Sequence, residues 1–118
     1  MTLNEFLDQI DQNSPVSFAQ TIEIISENYL YHATEFSNGL AEHVLINLAG
    51  TNEGSCKIFA FAKIHQLTPE QTLNLFGDYY RVDVLGDPNG TGHQNIRHFM
   101  RYGWAGVSFR GEALAMRA

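Results

Sequence analysis

Residues 56–71 read CKIFAFAKIHQLTPEQ. Ile58, Phe59, Phe61, Ala62 and Ile64 are too many for one stripe of a helix surface. The spacing therefore predicts a central helix over Cys56 to His65 that is buried on most of its sides. Thr68-Pro69-Glu70-Gln71 then combines an N-cap, a proline at the first helical position and a capping-box glutamine, the plainest helix start in the chain. Leu73, Phe76 and Tyr80 follow at spacings of three and four, with Gly77 as a break.

Toward the N-terminus, Leu3, Phe6, Leu7 and Ile10 recur at helical spacing. Glu5, Asp8 and Asp11 lie opposite them, which predicts an amphipathic helix over 4–12. Ser14-Pro15 ends it. Ser17 with Gln20 is a second capping box, opening a helix that places Phe18, Ile22, Ile25 and Tyr29 on one stripe. Tyr29 to Phe36 alternates in an aromatic, strand-like way and closes at Ser37-Asn38-Gly39, where Asn-Gly signals a turn. Val44 to Asn47 is β-branched enough to pair back as a short strand, although Leu40 to Leu48 also satisfies two turns of helix.

Gly50 to Ser55 and Gly86 to Gly92 read as glycine-bounded loops. His93 to Tyr102 is predicted as a last helix with Ile96, Phe99 and Met100 inward, stopped by Gly103. Val107-Ser108-Phe109 closes the chain as a strand. With no internal repeat and no long linker, residues 1–118 read as one α+β domain, mainly helical, with about five helices and a small antiparallel sheet.

The chain has 7 basic and 13 acidic residues, a formal charge of −6, and is 44% hydrophobic and 12% aromatic. All seven bases follow residue 56, while eight of the carboxylates precede residue 57. Scattered bases cannot form the dense stripe that displaces phosphate counterions, so a nucleic-acid module is excluded, as is adhesion to an anionic membrane. The acidic helices are instead expected to pack near the basic loops of the second half. One cysteine allows no internal disulfide, which suits a reducing compartment such as a bacterial cytosol. No apolar run approaches the ~20 residues of a membrane span, and Met1 to Asn13 lacks the basic and apolar regions of an export signal.

Cys56 is the first candidate for chemistry. At the start of a helix, beside Lys57, the dipole would lower its thiol pKa, and His93 could act as its base with Asn95 or Asp83 orienting the ring. The competing reading is a small buried core residue. The five histidines include no i, i+4 pair, so no metal is assigned, and neither glycine loop has the order of a phosphate cradle. No cofactor is predicted. Glu53, Asp83 and Asp87 could form an acid pair, but capping and pairing with Arg81 or Arg97 is the plainer role. Tyr79, Tyr80 and Trp104 read as core or groove walls.

Asn52-Glu53-Gly54-Ser55-Cys56-Lys57 resembles a hallmark segment of the HopJ family, the HopPmaJ-like type III effectors. Tyr29-Leu30-Tyr31 through Thr34, Phe36, Asn38 and Gly39 agrees in order. So do Phe76-Gly77 with Tyr79-Tyr80-Arg81 and Asp83-Val84, then His93-Gln94-Asn95-Ile96-Arg97, then Gly103-Trp104. The resemblance runs from about Phe18 to Leu114, with Ala33 standing where the family pattern tends to proline. It implies a protein secreted into a host cell and supplies no catalytic residues. The first twelve residues, with Glu5, Asp8 and Asp11 and no serine, lack the serine-rich, acid-poor character of effector export signals, which favours the bacterial cytoplasm.

Together these readings give a binding domain for an unidentified protein or small molecule. Asn52, Glu53, Arg81, Asn95, Arg97 and Trp104 are its candidate ligand residues. The alternative is a small hydrolase or transferase using Cys56 with His93.

Overall fold

The computed structural model describes residues 1–117. Its elements run α1 (Leu3–Asp11), α2 (Phe18–Asn28), β1 (Tyr29–Tyr31), β2 (Phe36–Asn38), β3 (Leu45–Asn47), α3 (Glu53–Ile64), α4 (Pro69–Asn74), α5 (Gln94–Tyr102), β4 (Val107–Phe109) and β5 (Leu114–Met116). A six-residue π-helix, Tyr79–Val84, lies between α4 and α5. The fold is α+β, as the sequence pattern predicts.

α3 is the axis of the core. Cys56, Ile58, Phe59, Ala60, Phe61 and Ala62 are all buried. Phe59 meets Phe36, Phe76, Phe99 and Trp104, while Phe61 meets Phe6, Tyr29 and His65. Neighbouring rings of one helix thus anchor different parts of the molecule, which explains why no polar stripe interrupts the segment. The helix begins three residues before Cys56. Gly54 and Ser55 read as loop, but they fall in a first turn whose amides have no intrahelical partner in any case, and Glu53 suits the positive end of the helix.

The Ser17–Gln20 and Thr68–Gln71 capping boxes both form, and a third joins Thr2 to Glu5. α4 ends at Asn74, and the chain turns through Gly77 at φ 61° into the π-helix. A Cβ on Gly77 would stand 2.6 Å from the Phe18 nitrogen, so only glycine fits under the start of α2.

Two small antiparallel sheets replace the single one expected. One is β1–β5 and the other has the order β3-β2-β4. Both ladders keep one register, with Tyr29 opposite Met116 and Phe36 opposite Phe109, so residues 29–38 and 107–116 form one ribbon interrupted at its middle. The strand-like run from Tyr29 to Phe36 is split by this interruption, and β5 was not visible as a strand in the sequence. Met100 also departs from expectation: it is 45% exposed, and Asn95 takes the inward stripe with Phe99, one turn away.

The charge halves do not pair as expected. Among the described residues, Arg110–Glu35 at 3.2 Å is the one ion pair that joins them. The carboxylates of α1 and α2 face solvent instead. Among the described residues, no helix is long and apolar enough to cross a membrane.

Candidate functional site

The two helices that follow the glycine-bounded loops, α3 and α5, start in the same unusual way. Asn52 and His93, their N-cap residues, have left-handed backbones (φ 50° and 55°), and neither side chain caps the helix it precedes. Asparagine and histidine tolerate this conformation better than most residues, but it remains uncommon outside glycine. The Cys56 amide bonds the Asn52 carbonyl, and the Ile96 and Arg97 amides bond the His93 carbonyl. The amides ahead of them, those of Glu53, Gly54, Ser55, Gln94 and Asn95, are the ones a helix leaves without an internal acceptor.

An asparagine cluster fixes both helix starts. Asn95 Oδ1 accepts from Asn38 Nδ2 and Asn47 Nδ2, each at 3.1 Å. Asn47 Oδ1 accepts from Asn95 Nδ2 at 2.9 Å and from Asn52 Nδ2 at 2.7 Å. Asn38 Nδ2 also reaches the Asn95 carbonyl at 2.8 Å. Asn38, Asn47 and Asn95 are buried, so these bonds act in a low-dielectric interior and tie β2 and β3 to the first turns of α3 and α5. Asn38 Oδ1 is left without a partner, a local cost accepted within the cluster.

Between the two helix starts lies a cleft of about 500 Å³. Its floor and rim include Asn52, Gly54 and Ser55 from α3 with Gln94 and Asn95 from α5. One wall is aromatic: Phe18 lies 5.0 Å edge-on to Tyr79, and Tyr79 lies 5.2 Å from the His93 ring. His93 Nε2 is 3.1 Å from Asp83 Oδ2, which sets the ring's orientation at the mouth. The lining contains no carboxylate, Lys or Arg. It therefore sets aromatic faces beside the first turns of two helices, at their positive ends, where a helix leaves its amides without an internal acceptor.

Of the residues expected to carry function, Asn52, His93 and Asn95 meet in this cleft. The others lie elsewhere. Arg81 donates to the Val16 carbonyl at 2.5 Å and to Asn74 Oδ1 at 2.8 Å, while Asn74 Nδ2 donates to the Ser14 carbonyl. It thus clamps the turn before α2. Arg97 donates to the Gly92 and Asp87 carbonyls at 2.6 and 2.9 Å and holds the loop ahead of α5. Trp104 donates to the Leu67 carbonyl at 2.9 Å and packs edge-on against Phe99. Glu53 is exposed on the first turn of α3 and neighbours Tyr31, whose hydroxyl is pushed well up by burial and then by this carboxylate.

Cys56 and His93 do not pair. The Cys56 sulfur is buried and lies 3.9 Å from the Thr34 carbonyl, whereas His93 is engaged with Asp83. Burial raises the thiol pKa and outweighs the lowering effects of Tyr31, Thr34 and Lys57. The expected lowering by the helix start fails because Cys56 already sits in the bonded part of α3, facing the core.

Sequence reasoning passed over Asn38, Asn47, Phe18, Ser55 and Gln94. Asn38 and Asn47 did carry a signal, since asparagine is depleted in strands and two of them end short strands here.

The family model described as HopJ type III effector protein matches residues 3–114. A crystal structure described as unknown function protein VPA0580 is 43% identical, covers 99% of this chain and 95% of its own, and superposes with a TM-score of 0.91. No curated protein matches.

Proposed function

The chain belongs to the HopJ type III effector protein family, and from that premise we propose that it is a binding domain whose cleft between α3 and α5 takes a small anionic ligand with an aromatic or apolar body. The observation that carries this reading is the convergence of two uncapped helix N-termini on one cleft with an aromatic wall. Helix starts attract anions through their free N–H groups and their partial positive charge. The absence of any carboxylate from the lining, in a chain of net charge −6, supports the same sign of ligand.

The ligand's charged group would accept hydrogen bonds from the amides of Gly54, Ser55, Gln94 and Asn95. Its body would lie against Phe18, Tyr79 and His93, where stacking adds roughly 0.5–1.5 kcal/mol beyond burial. Asp83 would hold His93 in place rather than exchange protons with the ligand. Secretion into a host, which the family description suggests, would deliver this binding activity to a host compartment.

Thermal unfolding with phenyl phosphate, inorganic phosphate and uncharged phenol tests the reading. Phenyl phosphate is expected to raise Tm most and phenol least, and Ser55→Glu, which places a fixed carboxylate in the cleft, is expected to abolish the difference. Equal responses to all three compounds would refute an anion-selective cleft.

A further inference from the structure

We propose that the outer edge of β3 pairs with the same edge of a second copy of this chain, antiparallel about a twofold axis at Ile46. The backbone directions follow from the hydrogen bonds around the sheet. The Gly39 amide bonds the Gly106 carbonyl and the Arg110 amide bonds the Glu35 carbonyl, so the odd-numbered residues of β2 direct their polar groups to β4. Phe36 and Asn38 then face β3, and the His43 amide bonding the Leu40 carbonyl continues the same alternation. Ile46, opposite Ser37, therefore points its N–H and C=O away from β2, toward an edge that no strand covers among the described residues.

The side chains along this edge are apolar. Leu40, Val44, Ile46 and Leu48 are 41%, 41%, 54% and 60% exposed, four large hydrophobic residues within nine positions. Natural edge strands are blunted by lysine, proline, bulges or a covering element, and residues 40–48 contain neither lysine nor proline. The segment also fits itself. An axis at Ile46 sets Ile46 against Ile46 and Val44 against Leu48, alternate residues that share one face of the strand. Glu42, the only carboxylate of residues 40–48, lies in the 3-10 turn Ala41–His43, outside the strand. Residues 43–50 contain no Asp, Glu, Lys or Arg, so pairing over 44–48 sets no like charges against each other in a chain of net charge −6. With only three residues in the strand, the interface is small, and the dimer is expected to be weak and concentration-dependent.

Sedimentation equilibrium of the full chain, repeated with Ile46→Pro and Ile46→Lys, tests the pairing. Proline removes the outward N–H without breaking a bond to β2, and lysine places a charge on the edge. The parent chain is expected to shift from monomer to dimer as concentration rises, and both variants are expected to remain monomeric with an unchanged circular-dichroism spectrum. A parent chain that stays monomeric up to about 1 mM, whether or not it captures an added apolar strand peptide, would overturn self-pairing. A dimer that persists in both folded variants would do the same.

Discussion

Asn95 is the residue on which the site's geometry turns. Its side chain exchanges bonds with Asn47, accepts from Asn38 and sits in the first turn of α5, so its removal would take away three buried hydrogen bonds. Asn95→Ala is expected to lower stability by about 1.5–4 kcal/mol, from the three lost bonds at roughly 0.5–1.5 kcal/mol each. Urea unfolding measures this, and a loss below about 0.5 kcal/mol would show that the cluster does not hold the helix starts. Cys56 gives a second prediction at this scale. With its sulfur buried and its thiol pKa raised, iodoacetamide at neutral pH is expected to leave the folded chain unlabelled and to label it in denaturant. Fast labelling of the native protein would show that the sulfur is accessible.

His65 adds a pH dependence. Burial holds its pKa below the ordinary 6.5, and Nε2 lies 2.6 Å from the Tyr29 hydroxyl. The unfolded chain therefore binds the proton more readily than the folded one. The associated stability is complete above about pH 6.5 and declines as pH falls from there toward the lowered folded value. His65→Gln is expected to flatten that decline in unfolding measurements between pH 7 and 5, and an identical slope in the variant would contradict the assignment.

The elements differ in how far local sequence decides them. Capping boxes at Ser17 and Thr68 were legible because side chain and backbone satisfy each other within four residues. The apolar surround of α3 was legible because its rings must reach partners on several sides. The start of α3 was not, since Gly54-Ser55 has a loop's composition and becomes helical only when the asparagine cluster holds Asn52 in place. The inward position of Asn95 was hidden for a related reason: polar residues are assigned outward until their partners, 48 and 57 positions away, are known. Gly77 shows the same limit from the other side. It was recognisable as a break, but its need for glycine comes from the contact with Phe18. Gly77→Ala is expected to lower stability by at least about 1–3 kcal/mol through left-handed strain, with the steric clash adding to it. A neutral effect on Tm would mean that α2 shifts without penalty.

At the scale of the molecule, the charge asymmetry has a different meaning from the one the sequence suggested. The acidic half faces solvent rather than the basic loops, and the ion pairs present lie at the surface, where each contributes little. Stability is accordingly expected to change little between low and high salt. The proposed binding site lies where charge is absent from the lining, in a cleft built by two helix starts and an aromatic wall. Sequence alone brought out Asn52, His93 and Asn95 as candidates but grouped them with Arg81, Arg97 and Trp104, whose bonds hold loops and core. The distinction depends on which carbonyls the long side chains reach, and that is settled only by folding.

In the proposed function the cleft between α3 and α5 binds an anion through its free amides. An NMR titration of the isotopically labelled chain with phenyl phosphate tests it most directly. Saturable shifts are expected, centred on the amides of Gly54, Ser55, Gln94 and Asn95 and accompanied by the ring protons of Tyr79. Shifts confined to the loops around Arg81 and Arg97, or no saturable shift at any site, would contradict it.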